Sequence, residues 1–342
     1  MTDLAARLAR RTTVKHPSGV SIETPLLVPS FSSKGFRVTK DTSEVREALE
    51  MTSEWLTETM LISAYDLAHG HIPRPEDLPA TPELILVDSG GYEMRIEHDM
   101  STAVHWPHVP LSWDEDRYRG VLDAWPDRFL ACFVSYDEPA VRTSLDEQLA
   151  SATKLLSRYP KQLHSFLLKP ETVDQKYLTN AIESAVANAK KLAPFDFIGV
   201  TEKELGASLL DRMHAVAKLR LALDAAGVRA PIHVFGALDP LTCLLFFLAG
   251  AEVFDGLTWL RYAFHKGLCV YQSNYGALSM GVRKRDSHVR ARVLTDNVHY
   301  LQNLSTQMQK FLLDRDFAKF EHHSEFLASE YDSLRARLQG GG

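Results

Sequence analysis

Eight short apolar runs, at 21–28, 60–64, 84–87, 129–136, 163–168, 195–200, 232–235 and 252–254, punctuate this chain and limit what it can fold into. A strand buried on both faces of a parallel sheet reads as a continuous apolar run rather than an alternating one. Between several of the runs lie stretches with helical patterning, 173–192, 205–226 and 240–249. Alternating strand and helix predicts a parallel sheet, and eight such units in about 250 residues predict an α/β fold of the (β/α)8 TIM-barrel type. The predicted barrel occupies residues 1–262. A C-terminal extension, 263–338, carries a basic segment and two amphipathic stretches, 292–313 and 316–338, expected as extra helices packed on the barrel. Two connections, 36–56 and 95–127, are long, as loops that cover or dock at a site often are.

Charge and cysteine usage narrow the function classes. A net charge of −6 over 342 residues excludes a generally basic nucleic-acid coat, while leaving room for a local basic groove on an acidic body. Cys132, Cys243 and Cys269 are far apart in sequence, so neither a disulfide framework nor a CxxC metal knuckle is expected. His265 and Cys269 are four residues apart, but zinc takes four protein ligands, or three and a water, so the pair is read as structural. No apolar stretch reaches membrane-spanning length, and the first residues have no long apolar core. A cytoplasmic protein with no membrane partner is expected.

Three of the runs lead into a carboxylate: Leu84-Ile-Leu-Val-Asp88, Phe133-Val-Ser-Tyr-Asp137 and Val253-Phe-Asp255. Barrels place their chemistry at the carboxyl ends of the strands. Two carboxylates facing one pocket are the usual equipment for breaking a glycosidic bond. After Asp88 come Ser89, Gly90, Gly91 and Tyr92, in which glycines let backbone approach a flat ligand and the aromatic ring offers a stacking face. Asp137 could accept from the N1–H and amine of a guanine-like base. Gly199, Val200 and Gly236 fall at the ends of the sixth and seventh runs, and Lys169 at the end of the fifth. Arg283, Lys284, Arg285 and Arg290 form a basic run that could contact phosphates. Each has a plainer reading: Asp88 as a helix cap, Asp137 bound to its neighbouring loop, Asp255 paired with Arg261, the basic run as a solvated surface.

Together these fragments resemble the tRNA-guanine transglycosylase superfamily. Asp88-Ser-Gly-Gly-Tyr92 is similar to its acid-Ser-Gly-Gly-aromatic loop, and His233-Val-Phe-Gly236 with Phe254-Asp255-Gly256 to segments of its archaeal branch. His16-Pro-Ser-Gly19 with Ile22-Glu-Thr24-Pro25 resembles its opening, and Arg292-Val-Leu-Thr-Asp-Asn297 its closing helices. The resemblance implies that Asp255 is the nucleophile, Asp88 the general acid/base, Tyr92 the stacking ring and Asp137 the reader of the base edge. It places Ser89, Gly90, Gly199, Val200 and Gly236 around the base.

The family's CxCxxC-and-His zinc site is absent, since 264–275 holds only Cys269, and Phe166-Leu-Leu-Lys169 stands where the family has a Gln-Gly element. Such departures resemble the branch that acts on DNA, exchanging guanine for a free 7-deazaguanine such as 7-cyano-7-deazaguanine, in modification or phage-defence systems that include partner proteins. No metal and no cofactor are implied. The competing readings are a tRNA enzyme without zinc, a non-catalytic subunit that docks nucleic acid, and a barrel hydrolase of free nucleosides.

Overall fold

The computed structural model describes residues 8–95, 106 and 108–340. Eight parallel strands close into a barrel: β1 (Leu26–Phe31), β2 (Thr59–Ser63), β3 (Leu84–Asp88), β4 (Ala131–Val134), β5 (Leu163–Leu167), β6 (Phe197–Thr201), β7 (Ile232–Phe235) and β8 (Val253–Gly256). Each pairs with its neighbours in chain order, and β8 closes on β1 with Asp255 opposite Val28. Successive side chains on a strand point to opposite faces. Val28, Leu61, Leu86, Val134, Leu167, Phe197 and Val253 accordingly fill the interior. Their neighbours Leu27, Ile62, Val87, Phe133, Phe166 and Ile198 pack outward against the helices. Both faces are dry, which is why the runs are continuous in the sequence.

The first run proves to be two elements. Ser21–Glu23 pairs with Thr13–Lys15 in an antiparallel hairpin, and β1 begins only after the cis Thr24–Pro25 bond. Proline has no N–H to give a central strand, so it stands between the elements. Val14 and Ile22 of the hairpin join the interior cluster beside Leu26 and Leu84, plugging the amino-terminal end of the barrel.

The helices are α1 (Glu44–Thr52), α2 (Ala64–Ala68), α3 (Glu115–Asp123), α4 (Leu145–Leu156), α5 (Thr179–Ala187), α6 (Leu209–Ala225), α7 (Pro240–Leu248), α8 (Thr258–Arg261), α9 (Gln272–Met280), α10 (Asp286–Asp314) and α11 (Ser324–Leu338). α6 is shorter than the predicted 205–226 because Ser208 and Asp211 form a reciprocal capping box that fixes its start. The predicted 173–192 helix is broken into α5 and a 3-10 turn, Ala189–Leu192.

In the extension, the irregular stretch after β8 folds into a hairpin of Ala263–His265 and Leu268–Val270, followed by α9. On α10, Leu294, Val298, Leu301, Leu304, Met308 and Phe311 recur at helical spacing and belong to the same cluster as the barrel's outer face. Leu327 and Leu334 of α11 join it too. The extension thus shares the barrel's hydrophobic core, and Ala263, Val289 and Val293 add a small cluster within the extension itself. Among the described residues no helix is long and apolar enough to cross a membrane.

Candidate functional site

Because all eight strands run the same way, their carboxyl ends meet at one mouth. Asp88 ends β3, Asp137 follows β4, Lys169 follows β5, and Asp255 lies in β8.

Asp255 is 6 % exposed and is held by three donors. Ser30 Oγ donates to Oδ2 at 2.7 Å, while His233 Nε2 (3.0 Å) and the Gly236 N–H (3.2 Å) meet Oδ1. His233 is fully buried and its Nδ1 has no partner among the described residues, so the tautomer that fits carries its proton on Nε2 and donates to Asp255. Its ring stacks on Phe235 at 3.8 Å between centroids. The carboxylate is therefore fixed in direction by groups from β1, β7 and the turn after β7.

Asp88 is held differently. Among the described residues one donor, the Gly90 N–H, reaches its Oδ2 at 3.2 Å. Burial pushes its pKa up to about 6; the charges of Asp255 and Asp137 push the same way, and the Gly90 N–H and Lys169 partly offset them. The two acids thus feel each other across the mouth. One is clasped by donors, and the other is able to gain and lose a proton near neutrality.

The loop after Asp88 is tightly pinned. Gly90 has φ +86°, and a Cβ there would meet Trp113 Nε1 at 2.7 Å and Tyr65 Cβ at 2.8 Å, so a side chain is excluded twice over. Trp113 Nε1 donates to the Ser89 carbonyl at 2.8 Å. Ser89 is buried, and its hydroxyl accepts from the Asp137 N–H at 3.2 Å, so it braces the loop. Tyr92 lies open at the rim, 41 % exposed, with Lys34 Nζ 4.3 Å from its ring centroid and Arg261 Nη2 3.3 Å from its hydroxyl.

Asp137 is already paired. Arg142 Nη1 lies 3.0 Å from Oδ1 and Lys169 Nζ 3.2 Å from Oδ2. Burial alone would raise its pKa, but Lys169, Arg142 and Arg95 outweigh it and hold the carboxyl below the usual range. Lys169 also reaches Glu204 at 3.2 Å and Thr201 Oγ1 at 3.0 Å, which uses all three of its donors.

Gly199 faces the interior, where a Cβ would lie 2.6 Å from the Phe235 ring. The missing side chain makes room for Phe235. Gly199→Ala is expected to cost about 1–3 kcal/mol in urea unfolding, and Phe235→Leu to restore most of that loss. Equal stability of the Gly199→Ala protein and the parent would rule out this packing. Val200, the next residue, is fully buried in the outer cluster. Alternation along β6 turns the Val200 side chain toward the helices, so only its backbone faces the mouth. Gly236 contributes its N–H to Asp255, as described.

Arg283, Lys284 and Arg285 are exposed ahead of α10 and make no ion pair among the described residues. Arg290 differs, since it pairs with Glu44 of α1 at 3.0 Å. That pair ties the start of α10 to the segment following β1, on the side of the mouth. Cys269 Sγ is 2.8 Å from Asp239 Oδ2, and burial pushes its thiol pKa well up. His265 packs on Tyr275 instead. Among the described residues no group of three His, Cys, Asp or Glu is placed to hold a metal ion.

Sequence reasoning gave no role to Ser30, His233, Arg142 or Glu93. Glu93 is 1 % exposed, with Ser32 on Oε1 and, among the described residues, nothing on Oε2. Burial, with the charges of Asp66 and Asp88, pushes its pKa up to about 8. The signal for Ser30 and His233 was strand parity: each falls on the inward face of a strand beside β8. Comparison with protein-family models and with curated proteins returns no match to this chain.

Proposed function

We propose that this protein is a base-exchange transglycosylase that replaces guanine in DNA by a free 7-deazaguanine through a covalent Asp255–sugar intermediate. The observation that carries the reading is the pair of unlike acids at one barrel mouth: Asp255 clasped by three donors, Asp88 titrating at about 6. Environments that set two carboxyl groups apart assign them different parts in acid–base chemistry.

In the proposed reaction the target nucleotide swings out of the duplex into the mouth. Asp255 attacks C1′ as the bond to guanine N9 breaks, and Asp88 delivers a proton to the departing base. The 7-deazaguanine then enters, Asp88 takes its N9 proton, and N9 attacks C1′ to release Asp255. Two inversions give net retention. Tyr92 stacks on the base, and Asp137, set by Arg142 and Lys169, faces its edge. The exposed Arg283, Lys284 and Arg285 meet backbone phosphates, a contact that weakens steeply as salt rises.

The test is to incubate the isolated chain with labelled 7-cyano-7-deazaguanine and either duplex DNA or tRNA. Label in DNA is expected. Label in tRNA alone would replace the DNA reading with a zinc-free tRNA enzyme. Binding of nucleic acid with no label in either would make the chain a docking subunit.

A further inference from the structure

A cavity of about 540 Å³ opens beside the β4–β5 side of the mouth, between those strands and helices α3 and α4. Its size lies within the range of about 300–1,000 Å³ usual for small-molecule sites. Asp137 and Lys169 form the wall between it and the mouth.

Two lining groups keep polar atoms without a protein partner among the described residues. The Arg142 side chain is 6 % exposed, and all its hydrogen bonds leave from Nη1, to Asp137 Oδ1 and to the carbonyls of Glu138 and Val141. Its Nη2 and Nε have no acceptor among the described residues. These nitrogens are not sealed away from solvent, so their N–H groups are available to an acceptor that enters the cavity. Glu115, the half-buried first residue of α3, makes no hydrogen bond or ion pair among the described residues.

The charge balance says what kind of ligand fits. The lining holds Glu115, Asp137, Glu138 and Glu147 against Arg142 and Lys169, and both cations already bind Asp137. An anion would meet a net negative wall. A neutral molecule with paired acceptors for Arg142 and N–H groups for Glu115 satisfies both, and the part-exposed ring of Tyr136 lines the space beside a flat body.

We propose that this cavity is a second small-molecule site, taking a free, neutral amino-oxo heterocycle of nucleobase type, with its acceptors on Arg142 and its N–H groups on Glu115. The site goes beyond base exchange, because it uses neither Asp88 nor Asp255.

Equilibrium dialysis of labelled 7-deazaguanine against the full chain, without nucleic acid, tests it. Glu115→Ala should weaken one class of binding at least tenfold. Val141→Trp, at a rim position 55 % exposed, should block the same class. Both variants should melt like the parent, and Asp88→Asn should leave this class intact. The inference is overturned if both variants bind as the parent does, if no 7-deazaguanine binds, or if inorganic phosphate displaces it. Loss of exchange into nucleic acid with this binding kept would remove the exchange reading alone. Exchange kept with this binding absent would remove the second site alone.

Discussion

Asp255→Asn is expected to leave no covalent enzyme–nucleic acid adduct and to lower base exchange by about 10⁴-fold or more, the scale seen when a nucleophile is removed. An amide oxygen is a poor nucleophile toward C1′, and an amide cannot serve as the leaving group that regenerates the enzyme. The substitution suits the site in every other respect. Asparagine Oδ1 can accept from His233 Nε2 and the Gly236 N–H as Oδ1 of Asp255 does, and its Nδ2 can donate to Ser30 Oγ. Unfolding stability should therefore change by no more than about 1 kcal/mol. The measurement is a denaturing gel of enzyme trapped with labelled DNA, read beside a urea curve. A cross-linked band from the asparagine protein would exclude Asp255 as the nucleophile.

Asp88→Asn carries the second large effect, and it has opposite signs in two assays. Exchange should fall by about 10²–10⁴-fold, as for loss of a general acid/base. Stability should rise at alkaline pH. Folded Asp88 keeps its proton to about 6, against an ordinary value of 3.8. Between those values the native state binds more protons than the unfolded chain, so wild-type stability falls as pH rises through the window. Above it the ionised carboxylate is a standing cost, which asparagine does not incur. The variant should be more stable than wild type at pH 8 by roughly 1–3 kcal/mol, and the two should converge below pH 4. Urea unfolding at both pH values checks this. Coincident curves at pH 8 would mean that Asp88 bears no desolvation cost. A residue whose removal helps the fold while stopping the reaction is kept for function.

Much of the architecture was legible because burial leaves a mark on each strand separately. Seven of the eight runs overlap single barrel strands, β2 to β8, and the first splits at Pro25. The acids at Asp88, Asp137 and Asp255 could be placed at strand ends from order alone. Their partners could not. Ser30 and Asp255 are 225 residues apart, and His233 and Asp255 are 22 apart. Nothing local to either member of such a pair records the other. Val200 shows the reverse limit: its motif position suggested the pocket, while the parity of β6 turned its side chain outward.

The order of strands and helices, and the presence of an acid at the ends of three apolar runs, were set by the chain's own pattern, since hydrophobic periodicity and turn chemistry act over a few residues. Which acid is clasped, which is left to titrate, that Asp137 is locked by two cations, and that Arg142 keeps an edge toward a cavity without an acceptor among the described residues were decided only when the barrel closed. Desolvation and charge pairing depend on what surrounds a group in space, and barrel closure brings strands distant in sequence to the same few ångströms.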